Sequence, residues 1–108
     1  MDKVSKYLFD IDNSISLIEE FMAEIKDFTA FQKDKKTQSA VERQLAIIGE
    51  AVNKLRQEET KIILSNTDQI VNFRNRIIHS YDNIDVSIVW AIIKRHLPVL
   101  KQEIDELL

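Results

Sequence analysis

A chain of 108 residues with one glycine, Gly49, and one proline, Pro98, has little means of turning tightly. Glycine supplies left-handed backbone and proline a fixed φ, and most tight turns need one or the other, so their scarcity favours long helices over strands. The apolar residues agree. Val4, Leu8, Ile11, Ile15, Ile18, Met22 and Ile25 recur at alternating spacings of three and four, which is one buried helical stripe starting near Asp2. Phe28 and Phe31 continue the core in a short turn, and the polar run Asp34 to Thr37 offers start signals for a second long helix. That helix carries Ala40, Val41, Leu45, Ile48, Val52 and Leu55. Gly49 lies inside it, where glycine costs about 1 kcal/mol relative to alanine. A second backbone passing close by would explain it; plain tolerance of the glycine is the alternative.

Glu58 to Asn66 reads as a connector, with one helical turn through Ile62, Ile63 and Leu64, and Thr67 or Asp68 then caps a third long helix. Tyr81 to Asp85 reads as a turn. A last helix starts after Asp85 and buries Val86, Val89, Trp90 and Ile93, with Trp90 in the core, and Pro98 should kink or restart it because a helix-interior proline removes a backbone bond. The expected architecture is therefore an all-α, up-and-down bundle of four to five helices forming a single domain over residues 1–108.

With 44% hydrophobic and 31% charged residues the chain can build one modest core. It has no apolar run long enough to span a bilayer, and Met1-Asp2-Lys3-Val4-Ser5-Lys6 leads into an amphipathic pattern rather than a signal peptide, so a cytoplasmic address is expected. The absence of cysteine excludes disulfides and thiolate sites. Two histidines make a poor metal centre, and Asp82 and Asp85 near His79 do not complete a ligand spacing, so neither metal nor cofactor is expected. A net charge of −3 argues against indiscriminate nucleic-acid binding, so any RNA contact must be local. Arg74, Arg76 and His79 could supply such a patch. A second cluster, Lys94-Arg95-His96, reads as a solvated helix face.

Chemistry concentrates in Arg74-Asn75-Arg76-Ile77-Ile78-His79-Ser80-Tyr81. At roughly 100° per residue Arg74 falls inside the arc defined by Ile70, Phe73, Ile77 and Ile78, while Asn75 and His79 share another face. A buried guanidinium needs a partner: a carboxylate of the fold such as Glu50 or Glu42, another subunit, or a bound phosphate. The bland alternative is that Arg, Asn and His simply finish the helix by serving its terminal carbonyls.

Arg74-x4-His79-x-Tyr81, with Asn75 after the arginine, resembles the signature of the HEPN superfamily, specifically the HepT-like toxins paired with minimal nucleotidyltransferase antitoxins. Thr37-Gln38-Ser39-Ala40-Val41-Glu42-Arg43 running into Ile47-Ile48-Gly49-Glu50-Ala51 is similar to that family's second long helix. Ile84-Asp85, Val89-Trp90 and Leu97-Pro98-Val99-Leu100-Lys101 resemble its later segments, so the likeness covers nearly the whole chain. Family members often carry glycine two positions before the motif arginine and again between His and Tyr, where this chain has Asn72 and Ser80. The resemblance implies a homodimeric HEPN bundle acting as an endoribonuclease toxin. It also implies that Tyr81 is the acceptor for adenylylation by the nucleotidyltransferase antitoxin, a modification that would block an RNA-binding cleft by charge and bulk. The alternative function is a non-catalytic dimeric subunit that presents substrate or nucleotide to the nucleotidyltransferase.

RNA can be cut without metal when a base takes the 2′-hydroxyl proton, the oxygen attacks the adjacent phosphorus, and the added charge is stabilised. His79 suits the first task because its ordinary pKa of about 6.5 allows proton exchange near neutrality. Arg74 suits the second because a guanidinium binds phosphate oxygens bidentately and stays charged. Asn75, one turn before His79, could orient the imidazole or the phosphate, and Arg76 could add a phosphate contact. On an unbroken helix, however, Arg74 and His79 point roughly 140° apart. Either the helix ends near His79 and the ring swings back, or two protomers contribute to one site across a two-fold axis.

Overall fold

A computed structural model describes residues 2–79 and 84–108. Among these there are helices and no strands: α1 (Lys3–Met22), α2 (Phe28–Lys33), α3 (Lys35–Arg56), α4 (Asp68–His79), α5 (Val86–Ala91) and α6 (Leu97–Leu107), with a π-helical segment (Ile92–His96) joining the last two. The all-α expectation holds. Each early helix starts on an aspartate whose carboxylate takes up an otherwise unpaired N–H of the first turn. Asp2 accepts from the Ser5 amide (2.7 Å), Asp27 from Ala30 (2.9 Å) and Asp34 from Thr37 (3.0 Å). Asp34 alone separates α2 from α3, and its second oxygen also accepts from the Thr37 hydroxyl (2.7 Å). These Thr37 bonds hold its carboxyl below the usual carboxylate range. Gln38 reaches back from α3 to donate to the carbonyls of Phe31 (2.7 Å) and Gln32 (2.9 Å), so the abrupt corner leaves those two helix-end acceptors satisfied.

The core forms where α1 lies along α3, with α4 on another side of α3 and α6 closing over α1. Leu8, Ile11, Ile15 and Ile18 of α1 meet Val41, Leu45, Ile48, Val52 and Leu55 of α3, while Phe31, Ile70, Phe73, Ile92, Leu100 and Ile104 complete the cluster. Val4, Met22 and Ile25, at the ends of the first stripe, are half-buried against it. Trp90 departs from its expected place in the core. It is half-buried, with ring centroids 5.8 Å from Phe28 and 5.7 Å from Phe31, and the Lys94 ammonium lies 4.7 Å from its own centroid. An indole is large enough to cover buried Phe31 while its outer face attracts a cation.

The connector also departs from expectation. Residues 60–64 are not helical. Ile62 and Leu64 face inward while Ile63 is 87% exposed, a two-residue alternation characteristic of extended chain. Tertiary bonds fix this segment in place of a helical turn. The Ser65 amide donates to both oxygens of Glu103 on α6 (3.1 Å each) and the Ser65 hydroxyl donates to Oε1 (2.8 Å). Asn66 takes the left-handed backbone (φ 59°) that lets the chain turn into α4. Thr67 precedes α4 as expected, but it contributes through its carbonyl, which accepts from the Val71 amide (2.9 Å). Its buried hydroxyl accepts instead from Arg56 (2.9 Å), which also reaches Asp68 (2.8 Å).

Pro98 restarts the helix. The π-helical turn ahead of it, with the Leu97 amide donating to Ile92, inserts extra backbone where the proline ring would otherwise meet the preceding turn.

Gly49 sits where α4 crosses α3. A Cβ placed on it would lie 2.7 Å from the Arg74 Cβ and 3.2 Å from the Ile70 carbonyl oxygen, neither of which is the loose end of a side chain. The close second backbone is therefore real. Gly49→Ala should force the two helices apart. Overpacking of this kind typically costs about 1–3 kcal/mol, against which alanine's better helix propensity returns about 1 kcal/mol. A net loss of stability in urea unfolding is expected, and an alanine variant as stable as the parent would contradict this geometry.

Candidate active site on the α3–α4 face

The crossing at Gly49 fixes where Arg74 emerges. Its Cβ is pinned over the glycine, and its guanidinium runs along α3 to Glu50, with Nη2 2.5 Å from Oε2. Nη1 donates to the Asn75 side-chain oxygen (3.1 Å). The partner demanded by a charge in an apolar arc is thus Glu50, one of the two carboxylates the sequence offered. Neither member is sealed off: the Arg74 side chain is 27% exposed and that of Glu50 41%. The Lys54 ammonium, one turn along α3, lies 3.9 Å from the other Glu50 oxygen.

These groups line a groove of about 540 Å³ between α3 and α4, edged by Asp10 of α1. Its charged lining comprises Arg43, Lys54 and Arg74 against Asp10, Glu42 and Glu50, and its apolar lining includes Ala46, Ile47, Ile77 and Ile78. Ile78 is 56% exposed, so it does not close the buried arc around Arg74 as its spacing suggested. Ile70 and Phe73 face the core, whereas Ile78 lies on the rim of the groove. The floor of this groove is a second stripe on α3, from Ser39 through Arg43, Ile47 and Glu50 to Lys54. It is not apparent in the sequence because the more apolar core stripe dominates the pattern of α3. The signal was present as Ala46-Ile47, an apolar pair facing away from Leu45 and Ile48.

The remaining motif residues lie elsewhere. His79 ends α4, is exposed and does not line the groove, so within one chain the structure does not bring it into the cavity that holds Arg74. The helix does end at His79, as one of the two alternatives required, but the ring is not swung back into the groove that holds Arg74. Asn75 is exposed and bonded to Arg74 rather than turned to the imidazole. Arg76 is exposed and near enough to Asp85 to help hold that carboxyl below its usual range, after the larger effect of the bonds from Ser87. Tyr81 lies outside the described residues, as do Ser80 and Asp82. In the second basic cluster, Lys94 rests on Trp90 and His96 Nδ1 is 2.8 Å from the Asn66 side-chain oxygen, and neither lines the groove. Among the described residues no three His, Asp or Glu side chains converge on one point, and no helix is long and apolar enough to cross a membrane.

Glu42 provides a titration handle on the groove. Burial pushes its carboxyl above the usual range, with Lys35 opposing. A raised carboxyl pKa in the folded state means that the fold holds its proton more tightly than the unfolded chain does. This contribution favours folding in acid and is lost as pH rises through the folded pKa. Glu42→Gln should therefore raise thermal stability at neutral pH, with the gain shrinking below the normal carboxylate range. An equal gain at both pH values would assign the effect to something other than ionisation.

Comparison with known proteins agrees with this architecture. The sequence matches the HepT-like family, described as ribonuclease HepT-like, over residues 11–107. It is 39% identical over 102 residues to "Probable ribonuclease HepT" of Thermococcus cleftensis, covering 94% of this chain and 92% of that protein. It is 34% identical to "Putative RNase MJ1380" of Methanocaldococcus jannaschii over 103 residues, covering 94% of each chain. A second M. jannaschii protein, "Putative RNase MJ0127", is 34% identical over 110 residues, covering 97% of this chain and 87% of its own. No solved structure matches. Because the family match extends across all six helices, from the middle of α1 to the end of α6, the chain belongs to the HepT-like family of the HEPN superfamily.

Proposed function

We propose that this protein is a metal-independent endoribonuclease acting as the toxin of a HEPN and minimal nucleotidyltransferase toxin–antitoxin pair in the cytoplasm. Its site is composed from two copies of the chain. The observation that carries this reading is the separation of Arg74 from His79: one helix holds both, yet only the arginine enters the groove. A two-fold axis beside α3 and α4 would bring the His79 of one protomer toward the Arg74 of the other. The groove suits a second copy, because it offers three cations, three anions and exposed Ile78, a surface able to pair with itself. The names of the relatives support the activity, and net charge of −3 supports a local RNA contact rather than a general one.

In this mechanism neutral His79 takes the proton of the substrate 2′-hydroxyl. The freed oxygen attacks the adjacent phosphorus, the bond to the 5′-oxygen breaks, and the leaving oxygen takes a proton from water while the imidazolium returns its own to solvent. Arg74 stabilises the charge that builds on the phosphoryl oxygens, with Asn75 steadying its guanidinium. Arg76 adds a phosphate contact at the rim. The products are a 2′,3′-cyclic phosphate and a 5′-hydroxyl.

Cleavage in the presence of a chelator, leaving cyclic phosphate ends, should be lost in His79→Ala and should fall about 10²-fold or more in Arg74→Ala. Mixing the two inactive variants should restore partial activity, since one of the two sites in a heterodimer then contains both intact residues. Mixed dimers that stay inert after proven subunit exchange would mean that each site is built within one chain or that both sites must be intact together, and a monomeric active species would overturn the composite site. Failure to cut any RNA, with nucleotide or RNA binding that still depends on Arg74, would instead favour the binding-subunit reading. The partly exposed Arg74 side chain beside Arg43 and Lys54 in one groove gives that reading its footing, because cations there can meet a phosphate with no base beside them.

Tyr81, two residues beyond His79, is the proposed acceptor for adenylylation by the antitoxin. Each adenylyl group would bring phosphate charge to the end of α4 and repel RNA there. Co-expression with a minimal nucleotidyltransferase should add nucleotide mass that peptide mapping places on Tyr81. Tyr81→Phe should retain ribonuclease activity and escape neutralisation. Modification at another residue, or a Tyr81→Phe variant as inactive as His79→Ala, would overturn this role.

A further inference from the structure

Arg74 can meet a phosphate only with a guanidinium that the free chain has already committed. Its Nη2 is against Glu50, and the groove around it balances three cations with three carboxylates, so an incoming anion finds no surplus of positive charge there. We propose that Glu50 is a resident competitor for the substrate phosphate: it holds Arg74 in place in the free protein and is exchanged for the RNA backbone on binding. This inference rests on the reading of Arg74 as a phosphate ligand.

Three features make the exchange feasible. Both partners are partly solvated, with 27% of the Arg74 side chain and 41% of the Glu50 side chain exposed, so parting them leaves neither charge stranded in an apolar interior. Glu50 has a second cation available, since Lys54 already lies 3.9 Å from its other oxygen and can keep the carboxylate after Arg74 lets go. Arg74 does not lose its aim when Glu50 leaves. Its Cβ remains wedged over Gly49 and its Nη1 remains on Asn75, which leaves Nη2 for phosphate. The adjacent residues Gly49 and Glu50 thus divide the work, one setting where the side chain starts and the other occupying its tip. Glu50 is a positioning residue that acts through Arg74 and sets the threshold for RNA affinity.

The test is equilibrium binding of a 2′-O-methyl RNA oligonucleotide, which cannot be cut, to the full chain at low salt. Glu50→Gln keeps the side chain's size and removes the competing charge. It should tighten binding about three- to tenfold, a gain that shrinks as salt screens the charges. Placed on Arg74→Ala, the same substitution should change affinity little, because the guanidinium being competed for is gone. Glu50→Asp, which draws the carboxylate back by one carbon, provides a second variant should the glutamine protein fold poorly, and it too should tighten binding. Unchanged or weaker binding by folded Glu50→Gln would overturn the competition, as would an equal gain in the Arg74→Ala background. If Arg74→Ala alone binds as tightly as the parent, the phosphate role of Arg74 fails and the competition with it. If Arg74→Ala weakens binding but Glu50→Gln does not tighten it, only the competition fails.

Discussion

The fit of Arg74 over Gly49 is the contact on which the rest of the molecule turns. Two helices normally pack at about 8–10 Å between axes because side chains stand between them. Here one partner presents no side chain, and α4 settles against α3 closely enough that even a methyl group would collide with the Arg74 stem. That approach carries the guanidinium to Glu50 and opens the groove beside it. It also sets Ile70, Val71 and Phe73, which flank Arg74 on the same side of α4, into the core. One missing Cβ thus serves both packing and placement of charge.

Placement of charge and of proton-transfer chemistry are handled differently. Arg74 is gripped by three neighbours on two helices, whereas His79 ends its helix at the surface. A single chain therefore keeps the guanidinium inside the groove and the imidazole outside it. This division is what a second copy would resolve in the proposed function. The motif supplies the residue types, but a helix of 3.6 residues per turn keeps positions five apart from sharing one cavity.

Much of the fold was legible because helices announce themselves through period and caps. The α1 stripe, the Asp34 start of α3, the Asp85 start of α5 and the restart at Pro98 all follow from residues within one or two turns of each other. The demand for a partner to Arg74 was legible too, and Glu50 was one of two named candidates. What escaped depended on distant residues. The connector 60–64 is extended, with Ser65 anchored by Glu103 across 38 residues of sequence, and no local pattern encodes that bond. Trp90 sits at the edge of the core because Phe28 and Phe31 fill the space first. The groove was hidden for another reason: its floor is a minor stripe on a helix whose major stripe dominates the pattern, and Ile78 looks like core unless the helix is known to leave α3 uncovered there.

Among the described residues, several side-chain bonds that fasten α4 gather at its start. Arg56 ties down Thr67 and Asp68, Asn66 is held by His96, and Ser65 is held by Glu103, all at or just before the first turn. Gly49 and Glu50 add a grip halfway along. His79 lies about 16 Å from Asp68 at 1.5 Å per residue. Any tilt of so long a rod about its anchored first turn carries the far end through a wider arc than the middle. A substitution at Glu103 or Ser65 that lets the first turn of α4 tilt would therefore displace the imidazole further than the guanidinium.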